Sequence, residues 1–406
     1  MNKNWSIVPL SQITKEITIK SSENNQFPAI TSSLSGIYIQ TDYFKKTVAS
    51  ANNIGYKIIS PGQFTYRSMS DDGVFKINRY KFSHKGIVSP AYSVFEVING
   101  DASFIEQFFD SHVFSSKLYK IIQGGTRLAL KYKTLREIDL ELPPIQEQKK
   151  IASILTSVDD LIENAQSQIK KFQDLKKSVI NELLTKGIGH TDFKDSELGR
   201  IPKSWKITEL SKVSMILSSN VDKKTIENET LVSLCNYMDV YKNLIITREI
   251  NFMKASAKKS EINKFLIKKD DVIITKDSET PDDIAISSYV SEDFDNVLCG
   301  YHLSIIRSNK SVVDGKFLSL FFKLDYTRHR FSILANGTTR FGLNLKEIEN
   351  SKILVPSLEE QKKIANIIFS LDDEISTITK KFNKYIFLKK SLMQDLLTGK
   401  VRVSVN

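Results

Sequence analysis

The chain contains the stretch Pro143-Pro144-Ile145-Gln146-Glu147-Gln148-Lys149-Lys150-Ile151-Ala152 and repeats it as Pro356-Ser357-Leu358-Glu359-Glu360-Gln361-Lys362-Lys363-Ile364-Ala365. The offset between the copies is 213 residues, and the similarity continues without a gap through 183–185 and 396–398. Of the 43 positions from 143 to 185, 20 are identical in the second copy. So high an identity is not a chance match, and it indicates a chain built from two related halves.

Each copy of the repeat opens a long amphipathic helix. Apolar residues recur every seven positions in both copies, at Ile151, Val158, Ala165, Phe172 and Val179 and at Ile364, Leu371, Ile378, Tyr385 and Leu392. A seven-residue apolar period held over this length predicts coiled-coil pairing. We therefore expect the two helices to pack on each other. In the alternative, each helix packs on its own globular block.

The segments before the helices are related more distantly. Gly124-Gly125-Thr126-Arg127 corresponds to Gly337-Thr338-Thr339-Arg340 at the same offset, and Trp5 corresponds to Trp205 at an offset of 200. Short β-rich runs after turns predict mixed α/β blocks with much strand. The predicted organisation is a first block at 1–142, a helix at 143–186, a linker at 187–204, a second block at 205–355 and a second helix at 356–406.

Composition and charge indicate a soluble, basic protein. The 406 residues include 58 Lys and Arg against 47 Asp and Glu, which gives a formal charge of +11. A basic excess is the usual footprint of a nucleic-acid partner, although a soluble protein that is merely basic would show it too. Two cysteines, Cys235 and Cys299, and the lack of a signal-peptide pattern lead us to expect a cytoplasmic protein.

The sequence lacks the motifs of several enzyme classes. It has no Gly-x-x-x-x-Gly-Lys-Ser/Thr loop for ATP and no Gly-x-Gly-x-x-Gly dinucleotide motif. It also lacks the Asn/Asp-Pro-Pro-Tyr/Phe segment of amino-methyltransferases, and its histidines and cysteines are not at metal-ligand spacing. The acidic residues Asp277, Glu279, Asp282 and Asp283 are expected to form an exposed loop rather than a metal site. The chain is therefore interpreted as a binding protein without a catalytic or metal site.

These residues together resemble the specificity subunit of type I restriction-modification systems. The strongest element is the repeated Pro-x-x-x-Glu-Gln-Lys-Lys-Ile-Ala helix entry, and the Gly-x-Thr-Arg stretch before each helix adds to it. Two further matches are Leu198-Gly199-Arg200-Ile201-Pro202-Lys203-Ser204-Trp205, which opens the second block, and Val232-Ser233-Leu234-Cys235-Asn236-Tyr237-Met238-Asp239-Val240 within it. The resemblance covers essentially the whole chain, but the first block lacks the Gly-x-Ile-Pro opening and a clear Tyr-x-Asp-Val segment.

The resemblance implies a fold and a set of partners. The implied class is α+β, with two mixed α/β target-recognition domains, related by a pseudo-two-fold repeat, separated by two long helices that pack as an antiparallel coiled coil. Each domain would read one half of an asymmetric, bipartite site in double-stranded DNA. The chain itself would be non-catalytic and bind no cofactor. Two adenine-methyltransferase subunits and motor-nuclease subunits would join it and carry S-adenosylmethionine, ATP and Mg²⁺.

Candidate contact residues follow from what DNA reading requires. Arginine reads guanine, and cationic side chains bind phosphate. The DNA-binding candidates are Tyr66, Arg67, Arg79 and Arg127 in the first block and Lys276, Tyr301, Arg307 and Arg340 in the second. Arg127 and Arg340 share a position in the repeat, so we expect both to contact phosphate. The candidates for partner binding lie at the helix starts: Glu147, Lys149, Lys150, Glu360, Lys362 and Lys363.

Two other classes of function stay open on the sequence alone. One is a pseudo-symmetric coiled-coil adaptor without a DNA role, whose binding would lack the steep salt dependence of a DNA complex. The other is an enzyme with its own cleavage or methylation activity, against which the missing motifs count.

If helix length sets the spacer between the half-sites, inserting one heptad within 151–183 should lengthen the spacer and leave both half-sites unchanged. Seven helical residues add about 10 Å, roughly three base pairs of duplex. Mapping the recognised site of the variant measures this directly. A spacer of unchanged length would contradict the hypothesis.

Overall fold

The computed structural model describes residues 5–44, 50–122 and 128–405. The chain forms two compact units, one from Met1–Ser167 with Thr379–Asn406 and the other from Gln168–Ile378. Both units combine helices with short, mostly antiparallel strands, and the α+β class predicted from the sequence is confirmed. Each unit combines one mixed α/β block with the start of one long helix and the end of the other.

The first unit contains twelve strands among its described residues. They are β1 (Ser6–Pro9), β2 (Thr14–Glu16), β3 (Ile30–Ser33), β4 (Gly36–Ile39), β5 (Lys57–Ile59), β6 (Phe64–Arg67), β7 (Met69–Ser70), β8 (Asn78–Arg79), β9 (Gly86–Val88), β10 (Tyr92–Val97), β11 (Leu128–Ala129) and β12 (Asp139–Leu142). The helices up to the first long one are α1 (Gln40–Tyr43), α2 (Ala102–Phe109), α3 (His112–Tyr119), α4 (Tyr132–Leu135) and α5 (Ile145–Lys186).

A four-stranded antiparallel sheet, in the order β2-β10-β6-β8, forms the centre of the first unit. Strand β1 pairs with β12, which leads directly into α5, and β7 pairs with β11. The core under the sheet is aromatic, with Phe64, Phe95, Phe104 and Phe108 at most 1% exposed. Burial of these large rings contributes to the hydrophobic stabilisation of the block, together with leucine and isoleucine side chains of the same cluster.

The second unit repeats this plan with a larger sheet. Its strands are β13 (Phe193–Ser196), β14 (Gly199–Pro202), β15 (Lys206–Glu209), β16 (Ser214–Ser218), β17 (Thr230–Cys235), β18 (Ile245–Ile246), β19 (Met253–Ala257), β20 (Asp271–Thr275), β21 (Asp277–Ser278), β22 (Ser287–Val290), β23 (Val297–Cys299), β24 (Leu303–Ser308), β25 (Phe341–Gly342) and β26 (Lys352–Val355). Its helices are α6 (Tyr237–Lys242), α7 (Lys259–Phe265), α8 (Gly315–Phe321), α9 (Asp325–Leu334), α10 (Leu345–Glu349) and α11 (Leu358–Leu396).

Three strand arrangements of the first unit recur in the second. Strand β15 pairs with β26 as β1 pairs with β12, and β21 pairs with β25 as β7 pairs with β11. The strands β16-β24-β20 correspond to β2-β10-β6 and extend into a five-stranded sheet through β22 and β18. A second sheet, β19-β17-β23, has a reduced counterpart in the first unit, where β3 pairs antiparallel with β4 and a parallel bridge joins Ala29 to Ile87 of β9. The predicted linker carries the β13-β14 hairpin.

The long helices lie antiparallel within each unit. In the first unit the Lys389 ammonium, near the end of α11, lies 2.6 Å from the Asp159 carboxylate on α5. In the second unit Lys176, near the end of α5, pairs with Asp372 on α11. Residues 159 and 372 correspond in the repeat, as do 176 and 389, so the repeat produces the same ion pair twice. The predicted antiparallel pairing of the helices is therefore confirmed.

Each helix start also packs on the block that precedes it. Ile151 and Leu155 belong to the same apolar cluster as Phe104 and as Leu396 near the end of α11. The two packing arrangements considered from the sequence thus occur together. No helix in the described part of the chain combines the length and apolar character that crossing a membrane requires.

Replacing Leu155, which is 0% exposed, by Ala should lower the free energy of unfolding of the first unit by about 3 kcal/mol. The loss comes from the cavity left between α5 and the block. The same substitution at Leu161, which is 44% exposed on the same helix, should cost only about 0.5 kcal/mol. Urea unfolding of both variants measures the difference, and equal losses would contradict the packing described.

Candidate nucleic-acid interface

The carboxylate of Glu147 connects three segments of the first unit. Its Oε2 accepts a hydrogen bond from the indole Nε1 of Trp5 at 3.1 Å, directly before β1. Arg402, which follows α11, donates from Nε and Nη2 to the two carboxylate oxygens at 2.7 Å each. The bidentate bond from Arg402, with a smaller contribution from Trp5, lowers the pKa of Glu147.

The second unit contains the equivalent contact. Glu360 accepts a hydrogen bond from the indole Nε1 of Trp205 at 3.0 Å, directly before β15. His190 Nε2 lies 2.8 Å from Glu360 Oε1, and the backbone N–H of Ile188 donates to the same oxygen at 3.0 Å. Here the segment that follows α5 takes the place that Arg402 takes in the first unit.

The glutamine beside each of these glutamates anchors a second helix. Gln148 is 3% exposed, and its Oε1 accepts from the backbone N–H of Asp101, the N-cap of α2, at 2.8 Å. Gln361 is 0% exposed and bonds in the same way to the N–H of Asp314, the N-cap of α8, at 2.8 Å. The repeated Glu-Gln pair therefore fixes each long helix to its own block.

These contacts bear on the residues predicted to bind a partner. The carboxylates of Glu147 and Glu360 are engaged inside their own units, and Glu147 is only 1% exposed. Sequence reasoning missed this anchoring role, although the matching tryptophans were visible as a repeated pair. The four lysines that follow the glutamates, Lys149, Lys150, Lys362 and Lys363, have exposed side chains.

The Gly-x-Thr-Arg stretch leads into a short strand pair in each unit. In the second unit Arg340 immediately precedes β25, in which Gly342 is paired with Asp277 and Phe341 with Ser278. In the first unit Ala129 and Leu128 of β11 pair in the same way with Met69 and Ser70 of β7. Arg127 occupies the corresponding place in the sequence but lies outside the described residues, as do Gly124, Gly125 and Thr126.

We call the β21-β25 strand pair, with the segments bonded to it, the corner of the second unit; β7 and β11 form the corner of the first. Three predicted DNA contacts lie around the corner of the second unit. Arg340 is exposed, and Tyr301 is 49% exposed. The Lys276 ammonium lies 5.0 Å from the centre of the Tyr301 ring and donates to the Ser219 carbonyl at 2.8 Å. Burial lowers the pKa of Lys276, and the neighbouring Asp277 opposes this effect. The exposed Arg340 guanidinium and Tyr301 phenol are side chains of the kinds that bond to phosphate oxygens.

Arg307 has a different environment. Its guanidinium donates to both oxygens of Asp271, at 2.8 Å from Nε and 2.6 Å from Nη2, and also to the carbonyl of Leu266. The Asp271 carboxylate is buried, and its bond to the guanidinium raises the pKa of Arg307. The Arg307 side chain is 26% exposed, but its guanidinium is taken up by these bonds within the unit, so the geometry does not support the predicted DNA contact.

The candidates of the first unit also divide by exposure. Arg67 is exposed and lines a cleft of about 600 Å³ together with Tyr43 and Met69. Arg79 is half-buried, and its Nη1 donates to the hydroxyl of Ser103 at 3.0 Å. Tyr66 is 0% exposed, and burial raises its pKa. A side chain without exposed surface cannot touch DNA, so the prediction for Tyr66 is not supported.

Two polar groups at the corner of the second unit were not predicted as site residues. Asp277 was expected in an exposed acidic loop, but it lies in β21 and is bonded to His302 Nδ1 at 2.8 Å. Tyr237 and Tyr241 stack on α6 with ring centres 5.7 Å apart, and Tyr241 is 41% exposed. The Tyr-x-Asp-Val segment was the available signal for α6. Within the described ranges, no three potential ligands converge as a metal site would require.

Comparison with known proteins decides the family. The sequence profile described as type I restriction modification DNA specificity domain matches residues 3–171 and 202–386 of this chain. The chain belongs to this family. Its members are specificity subunits rather than catalytic ones, and the resemblance predicted from the repeated motifs is confirmed.

Several relatives carry the same assignment. A Methanocaldococcus jannaschii protein assigned as the MjaX type I restriction enzyme specificity subunit is 32% identical over 279 residues, which are 66% of this chain and 60% of the relative. The MjaVIII specificity subunit of the same organism is 29% identical over 79% of this chain and 75% of its own length. The Escherichia coli EcoKI specificity subunit is 19% identical over 78% of this chain and 67% of its own length.

The fold of this specificity subunit also occurs in solved structures. The type I system S subunit of M. genitalium aligns with a TM-score of 0.57 at 14% identity, covering 100% of this chain and 98% of the other. A second structure, described as showing complex assembly and conformational transition of the type I R-M system, aligns with a TM-score of 0.54 over 98% of both chains. At these identities the likeness shows the shared fold.

The bond between Glu147 and Arg402 predicts a pH dependence of stability. Because the folded-state pKa of Glu147 lies below its ordinary value of 4.5, its contribution is fully present above about pH 4.5 and is lost as the pH falls through the folded-state pKa. Glu147→Gln should therefore destabilise the chain at pH 7, and this deficit should shrink on acidification. Urea unfolding at several pH values tests it. Glu141→Gln, at an exposed site, is the control, and a pH-independent deficit would contradict the assignment.

Proposed function

We propose that this specificity subunit reads an asymmetric, bipartite site in double-stranded DNA, with one half-site for each unit. The proposed target-recognition domains are 1–142 and 205–355, joined through the spacer helices 143–186 and 356–406 and the linker 187–204. The observation that carries the proposal is the short strand pair that follows the Gly-x-Thr-Arg stretch. This pair occurs in both units, as β7-β11 and as β21-β25, in a chain of net charge +11. Because the remainder of the two blocks differs, the two half-sites differ as well.

Contacts to the phosphate backbone are assigned to the residue that ends this stretch. Arg340 is exposed and directly precedes β25. Arg127 is proposed for the same contact because it has the same position in the repeat. Tyr301, Lys276, Arg67 and Arg79 are proposed to contact bases or phosphates beside them. Phosphate contacts fix register on the duplex, whereas base-edge contacts supply sequence preference.

The partners are proposed from the repeat and from the family. The same helix-start sequence occurs twice in the chain and offers two equivalent surfaces, so we propose two adenine-methyltransferase subunits as partners. The exposed lysines Lys149, Lys150, Lys362 and Lys363 are the proposed contacts, while Glu147 and Glu360 hold the helix starts in place.

The rest of the proposed complex is built from other subunits. Motor-nuclease subunits would complete the restriction complex, and S-adenosylmethionine, ATP and Mg²⁺ would bind on the partner subunits. This chain would direct adenine methylation and restriction to the site without carrying out either reaction, in the cytoplasm.

Replacing Arg340 by Ala should weaken binding of the complex with its methyltransferase several-fold, on specific and non-specific duplexes alike. It should also reduce the slope of log affinity against log salt by about one, as expected when one phosphate contact is lost. Titrations at several salt concentrations measure both quantities.

The matched control is Arg200→Ala, which removes the same charge from an exposed position on β14. It should leave the affinity and the salt slope unchanged. Binding by the unmodified complex that does not depend on salt would contradict the proposed DNA role altogether and favour an adaptor. An effect of equal size from Arg200 would contradict the specific assignment to Arg340.

A further inference from the structure

The backbone hydrogen bonds around the corner follow the same pattern in both units. In the first unit the N–H of Ser68 donates to the carbonyl of Ala91 at 2.8 Å. In the second unit the N–H of Lys276 donates to the carbonyl of His302 at 3.0 Å. These bonds make positions 68 and 276 equivalent, and likewise 91 and 302.

A second pair of hydrogen bonds fixes the same alignment from the other side. The N–H of Leu130 donates to the Ser68 carbonyl at 2.9 Å, and that of Leu343 donates to the Lys276 carbonyl at 2.8 Å. Leu130 and Leu343 are related by the repeat offset of 213 residues. The next residues along the chain, Met69 and Asp277, are therefore equivalent as well.

The side chains on this shared frame differ in chemistry. The first unit presents Ser68, Met69 and Ala91, which are uncharged, and the second presents Lys276, Asp277 and His302, which are charged or titratable. A common scaffold with different side chains is what two domains need in order to hold DNA alike and read different sequences.

Asp277 and His302 form a positioned pair. The Asp277 oxygens lie 2.8 and 2.9 Å from His302 Nδ1, and the two side chains are 18% and 17% exposed. A carboxylate only accepts hydrogen bonds, so the ring proton at this contact is on Nδ1. The His302 ring lies edge-on to Tyr301 at 4.7 Å between ring centres, which places the pair beside the exposed phenol.

The bond to His302 leaves further lone pairs on the Asp277 carboxylate, and next to DNA only a hydrogen-bond donor of the DNA can satisfy them. In the major groove, the donors of DNA bases are the exocyclic amino groups of adenine and cytosine. Each carboxylate oxygen has more than one lone pair, so Asp277 can accept from His302 and from a base together.

We propose that Asp277, held by His302, is a specificity-determining residue of the second unit that selects a base carrying an amino group, adenine or cytosine, in the major groove. The uncharged Met69 and Ala91 at the equivalent positions give the first unit a different preference. This inference rests on the proposed function, because it requires the corner of the second unit to face DNA.

The test is the methylation profile of the complete methyltransferase complex on a library of duplexes randomised in both half-sites. Asp277→Asn keeps the shape of the side chain and replaces one acceptor oxygen by a donor. Preference should relax by about tenfold at one base pair of the second half-site, while the first half-site and the spacer stay unchanged. The identity of the relaxed base pair distinguishes adenine from cytosine.

Two further variants complete the design. His302→Gln should relax the same base pair, because Asp277 loses its fixed orientation. Asp222→Asn, which removes a carboxylate that is exposed and paired with Lys224 in the same unit, should leave the profile unchanged.

An unchanged preference at every position of the second half-site in both corner variants would overturn the inference. So would a uniform loss of methylation across all sequences, since that outcome marks a structural role. Either result, combined with weaker DNA binding by the Arg340→Ala variant, leaves the proposed function in place. If Arg340→Ala also binds DNA normally, the placement of DNA at this corner fails together with the inference.

Discussion

The bond between a helix-start glutamate and a tryptophan at the beginning of its block organises each unit. Through Glu147 and Glu360, the first turn of each long helix is tied to the first strand of the block and to the segment that follows the other helix. The adjacent glutamines extend the connection to the N-caps of α2 and α8. Buried polar groups of this kind are costly when left unpaired, so a satisfied set of them fixes one geometry.

This anchoring explains why the helix entry is so similar in the two copies. At the glutamine position the side chain accepts from a backbone N–H and donates to the carbonyl of Pro143 or Pro356, a combination that an amide supplies and a carboxylate does not. Further along the helices, the equivalent ion pairs Asp159–Lys389 and Asp372–Lys176 explain in the same way why these residues are identical in the two copies. Away from these contacts the blocks were free to diverge, and the divergence includes the side chains of the corner.

The fold was largely predictable from the sequence, and the site only in part. The heptad pattern and the repeat predicted both helices, because apolar periodicity and helix geometry are local properties. Burial is not a local property. The sequence suggests that Tyr66 and Arg307 contact DNA at the surface, but in the folded units Tyr66 is buried and Arg307 is paired with Asp271. For the same reason the sequence places Asp277 in a solvated acidic run, whereas in the folded unit the turn before β24 brings His302 against it.

The central claim is that the two units of one chain specify two different halves of a single DNA site. A map of modified adenine across the host genome, with this gene intact and with it deleted, tests the claim most directly. The account predicts that deletion removes methylation from one split, asymmetric motif and leaves all other methylation unchanged. An unchanged map in cells that express the partner methyltransferase, or the loss of a palindromic motif, would contradict it.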